Sequence, residues 1–387
     1  MRIKLGLLAR IILAILLAVI LGNFMPEPFV RVFATFNGLF GNFLNFVVPL
    51  IILAFIAPGI AQLGKGSGKL LGLATFFAYF STLVAGFIAF FVARNVLPNF
   101  ISNEGAQSMA NPEEFLAQAF FTVEMVPLMD VMAALIFAFI VGIGMAASNS
   151  EVMKRGFEEF NLIIEKVISF VIIPLLPFHI FGIFLNMTFG GQVAKILSVF
   201  AVVFLLIMIM HWLMLIIQFT AAGVLNKKNP FVLIKAMLPA YFTALGTQSS
   251  AAAIPVTLRQ TKKAGASEKV ANFTVPLFAT IHLSGSTITL VACSLGVMMM
   301  NGMNISFTAY AGFILMLGVT MIAAPGVPGG AVMAALGLLQ SMLGFDETMV
   351  ALMIALYLAQ DSFGTATNVT GDGALSMIVD RFNGKEK

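Results

Sequence analysis

The chain has 387 residues, 60% of them hydrophobic and only 10% charged, with a mean hydropathy of +1.02. A soluble domain of this length needs far more polar surface, so the composition is that of an all-α integral membrane protein whose solvent is the lipid bilayer. The net charge of +4 shows no nucleic-acid patch, and the single Cys293 rules out an internal disulfide. His179, His211 and His282 are too far apart in sequence to form a spaced metal motif.

The run from Leu5 to Leu21 has a basic start but no convincing small-x-small cleavage site, and it reads as a retained first span. Apolar runs that approach the roughly 20 residues a crossing helix needs lie near 5–24, 35–62, 69–96, 126–147, 157–188 and 194–222. Pro49, Pro174 and Pro177 fall inside two of these runs and kink them, which a bundle tolerates where neighbours satisfy the freed carbonyls. Between the third and fourth spans, PNFISNEGAQSMANPEEF is polar and acidic and reads as a loop.

The last 160 or so residues break this pattern. From Asn229 to Leu258 an apolar run reaches the polar cluster TQSS, an Ala-rich stretch and Pro255, with basic residues on both flanks. Both ends then face the same side, which predicts a re-entrant hairpin. From Ser306 to Phe345 the design recurs around Ala324-Pro325-Gly326-Val327-Pro328-Gly329-Gly330 with flanks free of Lys and Arg, which predicts a second hairpin entering from the opposite side. A long span follows each, over 268–300 and 348–379, so the expectation is eight transmembrane helices plus two re-entrant helical hairpins arranged as inverted repeats. With a cytoplasmic N-terminus, 16 of the 21 Lys and Arg fall on the inner side, so both termini are expected in the cytoplasm.

Chemistry concentrates in three places. In LAQDSFGTATNVTGDG, the residues Asp361, Thr365, Asn368 and Asp372 fall at i, i+4, i+7 and i+11 and form one stripe if 349–379 is a single helix. Carboxylates at membrane depth persist where they face a cavity, a partner charge or an ion. At the hairpin tips, Gln248, Ser249 and Ser250 and the Gly326–Gly329 stretch would expose backbone N–H and C=O groups to anions and cations, although Gly and Pro also serve simply to turn a chain. The third place is TIHLSGST, Thr280 to Thr287, in mid-span. Its small polar groups and imidazole either form a site or pack neighbouring helices through hydrogen bonds.

Taken together, TQSSAAAIPVTLR, PLFATIHLSGST, PGVPGGA and QDSFGTATNVTGD resemble the first hairpin tip, the unwound seventh helix, the second hairpin tip and the eighth helix of the dicarboxylate/amino acid:cation symporters, the glutamate transporter homologue family. The resemblance covers nearly the whole chain. It implies an elevator-type transporter and a homotrimer in the plasma (inner) membrane. A scaffold would take residues 1–66 and 125–190, and a transport domain 67–124 and 191–387. It also implies that Asp361 receives the substrate ammonium and Asn368 its α-carboxylate, with Thr365 supporting the substrate. Ser249 and Ser250 would line the site from the first hairpin, Val327 and Gly329 from the second, and Ser286 would touch the substrate side chain. Na⁺ would be held by Asp372, with Asn368, His282 and Thr280 at the ion sites. The third-span ligands are not placed, falling somewhere around Tyr79, Ser81 and Thr82.

Three departures redirect the expectation. Gly364 stands where acidic-substrate members carry an Arg that forks onto a second carboxylate, Gln248 stands for the first-hairpin Arg, and Ser284 replaces a sodium-ligating Asp. The expected substrate is therefore a small neutral amino acid such as serine, threonine or alanine, driven by about two Na⁺. The alternative is a proton- or sodium-coupled symporter of dicarboxylates or acidic amino acids. His282 is either a neutral packing residue or a proton carrier. A channel is a further class, which would need a pore lined by rings of residues and would conduct without substrate, and for a membrane enzyme no nucleophile–base pair or metal set is visible.

Overall fold

The computed structural model describes residues 7–63, 69–101, 117–148, 150–191, 193–322, 324 and 329–383. These residues are almost entirely helical. The elements are α1 Leu7–Leu21, α2 Glu27–Leu63, α3 Lys69–Val96, α4 Val131–Ser148, α5 Glu151–Val167, α6 Ile173–Phe189, α7 Val193–Asn226, α8 Pro230–Thr247, α9 Ser250–Ala264, α10 Glu268–Ile281, α11 Ser284–Met300, α12 Phe307–Ile322, α13 Gly330–Leu343 and α14 Glu347–Asn383. Seven segments among the described residues are long and apolar enough to cross a membrane: α2, α3, the α5–α6 run, α7, α8, the α10–α11 run and α14.

Local chemistry sets the boundaries. The fourth span begins at Val131 rather than near 126, because Pro127 precedes it and Asp130 accepts a bond from the Ala133 N–H at 2.8 Å, capping the first turn. The fifth begins at Glu151, earlier than 157, since Ser150 caps it. It is amphipathic through Val167, then passes through a π-helical turn at Ile168–Ile172 into α6. Pro174, lacking an N–H, sits immediately after that turn and breaks the regular ladder there. The segment expected to form the first hairpin folds as two helices, α8 and α9, and the Asn229–Leu258 bound stops short of the end of α9 at Ala264. The break in the seventh span is real: α10 ends at Ile281 and α11 starts at Ser284. Val327 and its neighbours Pro325, Gly326 and Pro328 lie outside the described residues.

Packing centres on α14. It lies against α3, α7, α8, α9, α10 and α11, while α2 packs on α4, α5 and α6, and α1 on α6. From Met349 to Val379 nearly every α14 residue is buried, including the whole polar stripe. An all-round buried helix ordinarily carries few polar groups, so the carboxylates and amides of this one need partners within the bundle or a bound ligand.

Candidate functional site

Two polar centres form around α14. The first is a cavity of about 30 Å³ bordered by Gln248 and Ser250 of the α8–α9 break, Thr280 of α10, Leu283 and Ser286 of the α10–α11 break, Ala324, Ala331 of α13, and Tyr357, Asp361 and Thr365 of α14. Each border is a helix terminus or the α14 stripe. Gln248 closes α8 in the left-handed conformation, φ 54°, which is rare for a residue with a side chain. Ser249 then starts α9, its Oγ accepting from the Ala252 N–H. Two residues thus reverse the chain and deliver Ser250, buried, to the cavity.

On the other side Gly329 opens α13 at φ +76°, and its N–H donates to Asp361 Oδ2 at 2.7 Å. Its positive φ favours glycine, and a Cβ there would also have to displace the end of the Leu358 side chain, which it would meet at 2.7 Å. The lining contains no Lys or Arg among the described residues. Gly364 places no side chain here, and a Cβ built there would make ordinary contact with the Gly285–Ser286 backbone at 3.5 to 3.6 Å.

The α10–α11 break is held by Asn368. Leu283 offers no side-chain cap, and Asn368 Oδ1 supplies it from another helix, accepting from the N–H groups of Gly285 at 2.7 Å and Ser286 at 3.3 Å. Its Nδ2 donates to Ser286 Oγ at 3.0 Å. Asn368, expected to read a substrate carboxylate, therefore has its oxygen and one amide proton committed to the protein.

The second centre is a buried polar cluster one turn beyond Asn368 on α14. Asp372 Oδ1 lies 2.8 Å from His282 Nδ1, whose Nε2 is 3.0 Å from Ser81 Oγ. Gln218 Nε2 donates to Ser81 Oγ at 2.9 Å and to Ser284 Oγ at 3.2 Å. All five side chains are buried. Gln218 Oε1 has no hydrogen-bond partner and abuts Gly371. Of the residues expected to hold cations, His282 and Asp372 meet here. Thr280 lies instead at the Asp361 cavity, exposed, with its hydroxyl donated to the Leu277 carbonyl at 2.7 Å. Among the described residues no group of three or more His, Cys, Asp or Glu comes together.

The structure thus gathers Ser250, Thr280, Ser286, Asp361 and Thr365 around one cavity, joins Gly329 to it through Asp361, and leaves Ser249 as a cap. Sequence reasoning did not single out Tyr357 or Gln218. Tyr357 precedes Asp361 by four residues and so extends the same stripe, a signal available in the sequence. Gln218 is an isolated polar residue in the apolar run of α7, outside the three polar stretches where chemistry concentrates.

Residues 7–382 match the Sodium:dicarboxylate symporter family. The chain is 25% identical over 339 residues to a serine/threonine transporter SstT of Streptococcus suis (strain 05ZYH33), covering 85% of this chain and 93% of the relative. It is 24% identical over 396 residues to a serine/threonine transporter SstT of Acinetobacter baumannii (strain AYE), covering 97% of each. A Caenorhabditis elegans excitatory amino acid transporter is 28% identical over 261 residues, 65% of this chain and 50% of that protein.

Proposed function

We propose, from the premise that the chain belongs to the sodium:dicarboxylate symporter family, that it is a secondary-active symporter coupling cation influx to uptake of a small neutral amino acid. The observation that carries this reading is the Asp361 cavity: one carboxylate, several hydroxyls, and no cation along its described lining. A buried carboxylate with that lining suits an ammonium, whereas a second substrate carboxylate would find no charge to meet it. The bacterial relatives bearing the name serine/threonine transporter point the same way.

Room for about two water-sized groups is too little for a whole amino acid, so binding on this reading requires one of the bordering helix breaks to shift. The Gly329–Asp361 bond would then link the α13 terminus to the carboxylate that receives the ammonium. The elevator reading takes α1, α2 and α4–α6 as scaffold and α3 with α7–α14 as the moving body. The paired breaks α8–α9 and α12–α13 would be re-entrant hairpins. The working form is a homotrimer in the plasma (inner) membrane with both termini cytoplasmic.

For the coupling ion, Na⁺ is the reading the family supports, and Gln218 Oε1, a buried acceptor beside Gly371 without a partner, is the kind of hard oxygen donor a cation satisfies. A proton is the second reading, favoured by one contact: the imidazole of His282 already occupies Asp372 Oδ1 at 2.8 Å. Proteoliposomes with imposed gradients separate them. We expect serine, threonine and alanine to outcompete aspartate and succinate, with uptake vanishing without Na⁺ and surviving collapse of the pH gradient. Best uptake of succinate would refute the substrate reading, and uptake driven by a pH gradient in Na⁺-free buffer would transfer coupling to the His282–Asp372 pair.

A further inference from the structure

Tyr357 is fully buried on α14, one turn before Asp361, and borders the same cavity. Its hydroxyl lies within reach of Asp361 and Ser286 but meets neither in good hydrogen-bond geometry, so this buried oxygen lacks a well-formed partner. Such a group is costly to leave unmade, and native interiors satisfy nearly all of them. Asp361 Oδ2 takes the Gly329 N–H and Ser286 Oγ takes an Asn368 amide proton, and on the proposed reading the remaining Asp361 acceptor sites serve the substrate ammonium. Ala279, Leu283, Ala324 and Ala331, which form the apolar part of the lining, offer the phenol no other side-chain partner.

We infer that Tyr357 Oη is the group that reads the side-chain hydroxyl of the substrate, making the cavity selective for hydroxy amino acids over alanine. The inference rests on the neutral amino acid reading of this site. An aliphatic hydroxyl both donates and accepts, so it can pair with the phenol in either sense. A methyl group would leave the phenol unpaired. A site built around such a bond discriminates against the analogue lacking it far more strongly than an apolar pocket discriminates by size.

The test uses the full-length protein in proteoliposomes, comparing wild type with Tyr357→Phe, which keeps the ring. In wild type, serine should be preferred over alanine by about 10-fold or more in kcat/KM, and O-methylserine should lose most of that advantage. In Tyr357→Phe the serine-to-alanine ratio should collapse toward one. Equal wild-type preference for serine and alanine, or a variant that lowers both in parallel, overturns the assignment. If the variant does not fold, the wild-type comparison of serine, O-methylserine and alanine still overturns the assignment when it shows no dependence on the hydroxyl. A wild type that carries only dicarboxylates would show that the substrate reading itself had failed, whereas neutral amino acid uptake blind to the hydroxyl would refute the role of Tyr357 alone.

Discussion

Asp361 has one oxygen bonded to the Gly329 N–H at 2.7 Å and no cation beside it along the cavity lining. On the proposed reading the substrate ammonium supplies the missing charge. Asp361→Asn keeps the shape and an acceptor oxygen but removes the charge, leaving a bound ammonium buried and unpaired. That costs about 3 kcal/mol or more, so substrate affinity should fall at least 100-fold while cation binding persists. Calorimetric titration with serine checks this, and unchanged affinity would take Asp361 out of the site. At this scale the sequence was informative where spacing alone sufficed. Asp361, Thr365, Asn368 and Asp372 share a helix face, and that face is buried as expected. Spacing was uninformative where a contact joins distant segments: His282 and Asp372 are 90 residues apart and Ser81 and His282 are 201 apart, so only the family resemblance, and not local pattern, put His282 and Asp372 at ion sites. Tyr357 was legible by position but hidden by type, because an aromatic in an apolar run reads as core.

Among the elements, the α10–α11 break depends on a close approach that only glycine permits. A Cβ at Gly285 would lie 2.5 Å from the Gly364 carbonyl oxygen and 2.8 Å from Thr367 Cβ, both on α14. Neither can give way without moving the helix that bears the polar stripe. Gly285→Ala should therefore destabilise the fold by about 3 kcal/mol through overpacking and displace Asn368 from the α11 terminus. The expected outcome is a lower melting temperature in detergent together with lost serine binding, and a variant as stable as wild type would show that this contact is looser than described. Breaks of this kind were partly readable, since Ser, Gly and His interrupt an otherwise apolar span at Thr280–Thr287. The π-helical turn before Pro174 was not, because a proline in a run indicates a disturbance without specifying its form. Helix starts were misplaced where caps decide them, at Asp130 and Ser150, since apolar periodicity carries no record of a cap.

Across the whole molecule, α2 meets the α13–α14 region through a small polar link. Asn45 Oδ1 accepts from Gln340 Nε2 at 2.7 Å, and Asn45 Nδ2 donates to Glu347 Oε1 at 3.3 Å. Gly41, one turn earlier on α2, makes room for the Glu347 carboxylate, which a Cβ there would meet at 2.8 Å. These partners lie some 300 residues apart in sequence, and the Asn45 signal is lost in an apolar run, so no sequence pattern foretold the link. On the elevator reading it joins the scaffold to the moving body, and it must break for the body to travel. A bond that exists in one arrangement and not in another biases their populations by its own differential free energy. Asn45→Ala should therefore weaken the arrangement described here by about 1 to 2 kcal/mol, a roughly 5- to 30-fold shift in population. Spin labels on α2 and α13 should report a second, shifted distance gaining weight in the variant. Gln340→Ala should reproduce the direction of the effect, because it removes the shorter of the two bonds from the other side. A single unchanged distance distribution in both variants would mean that apolar packing, and not this link, sets the resting position of the body against α2.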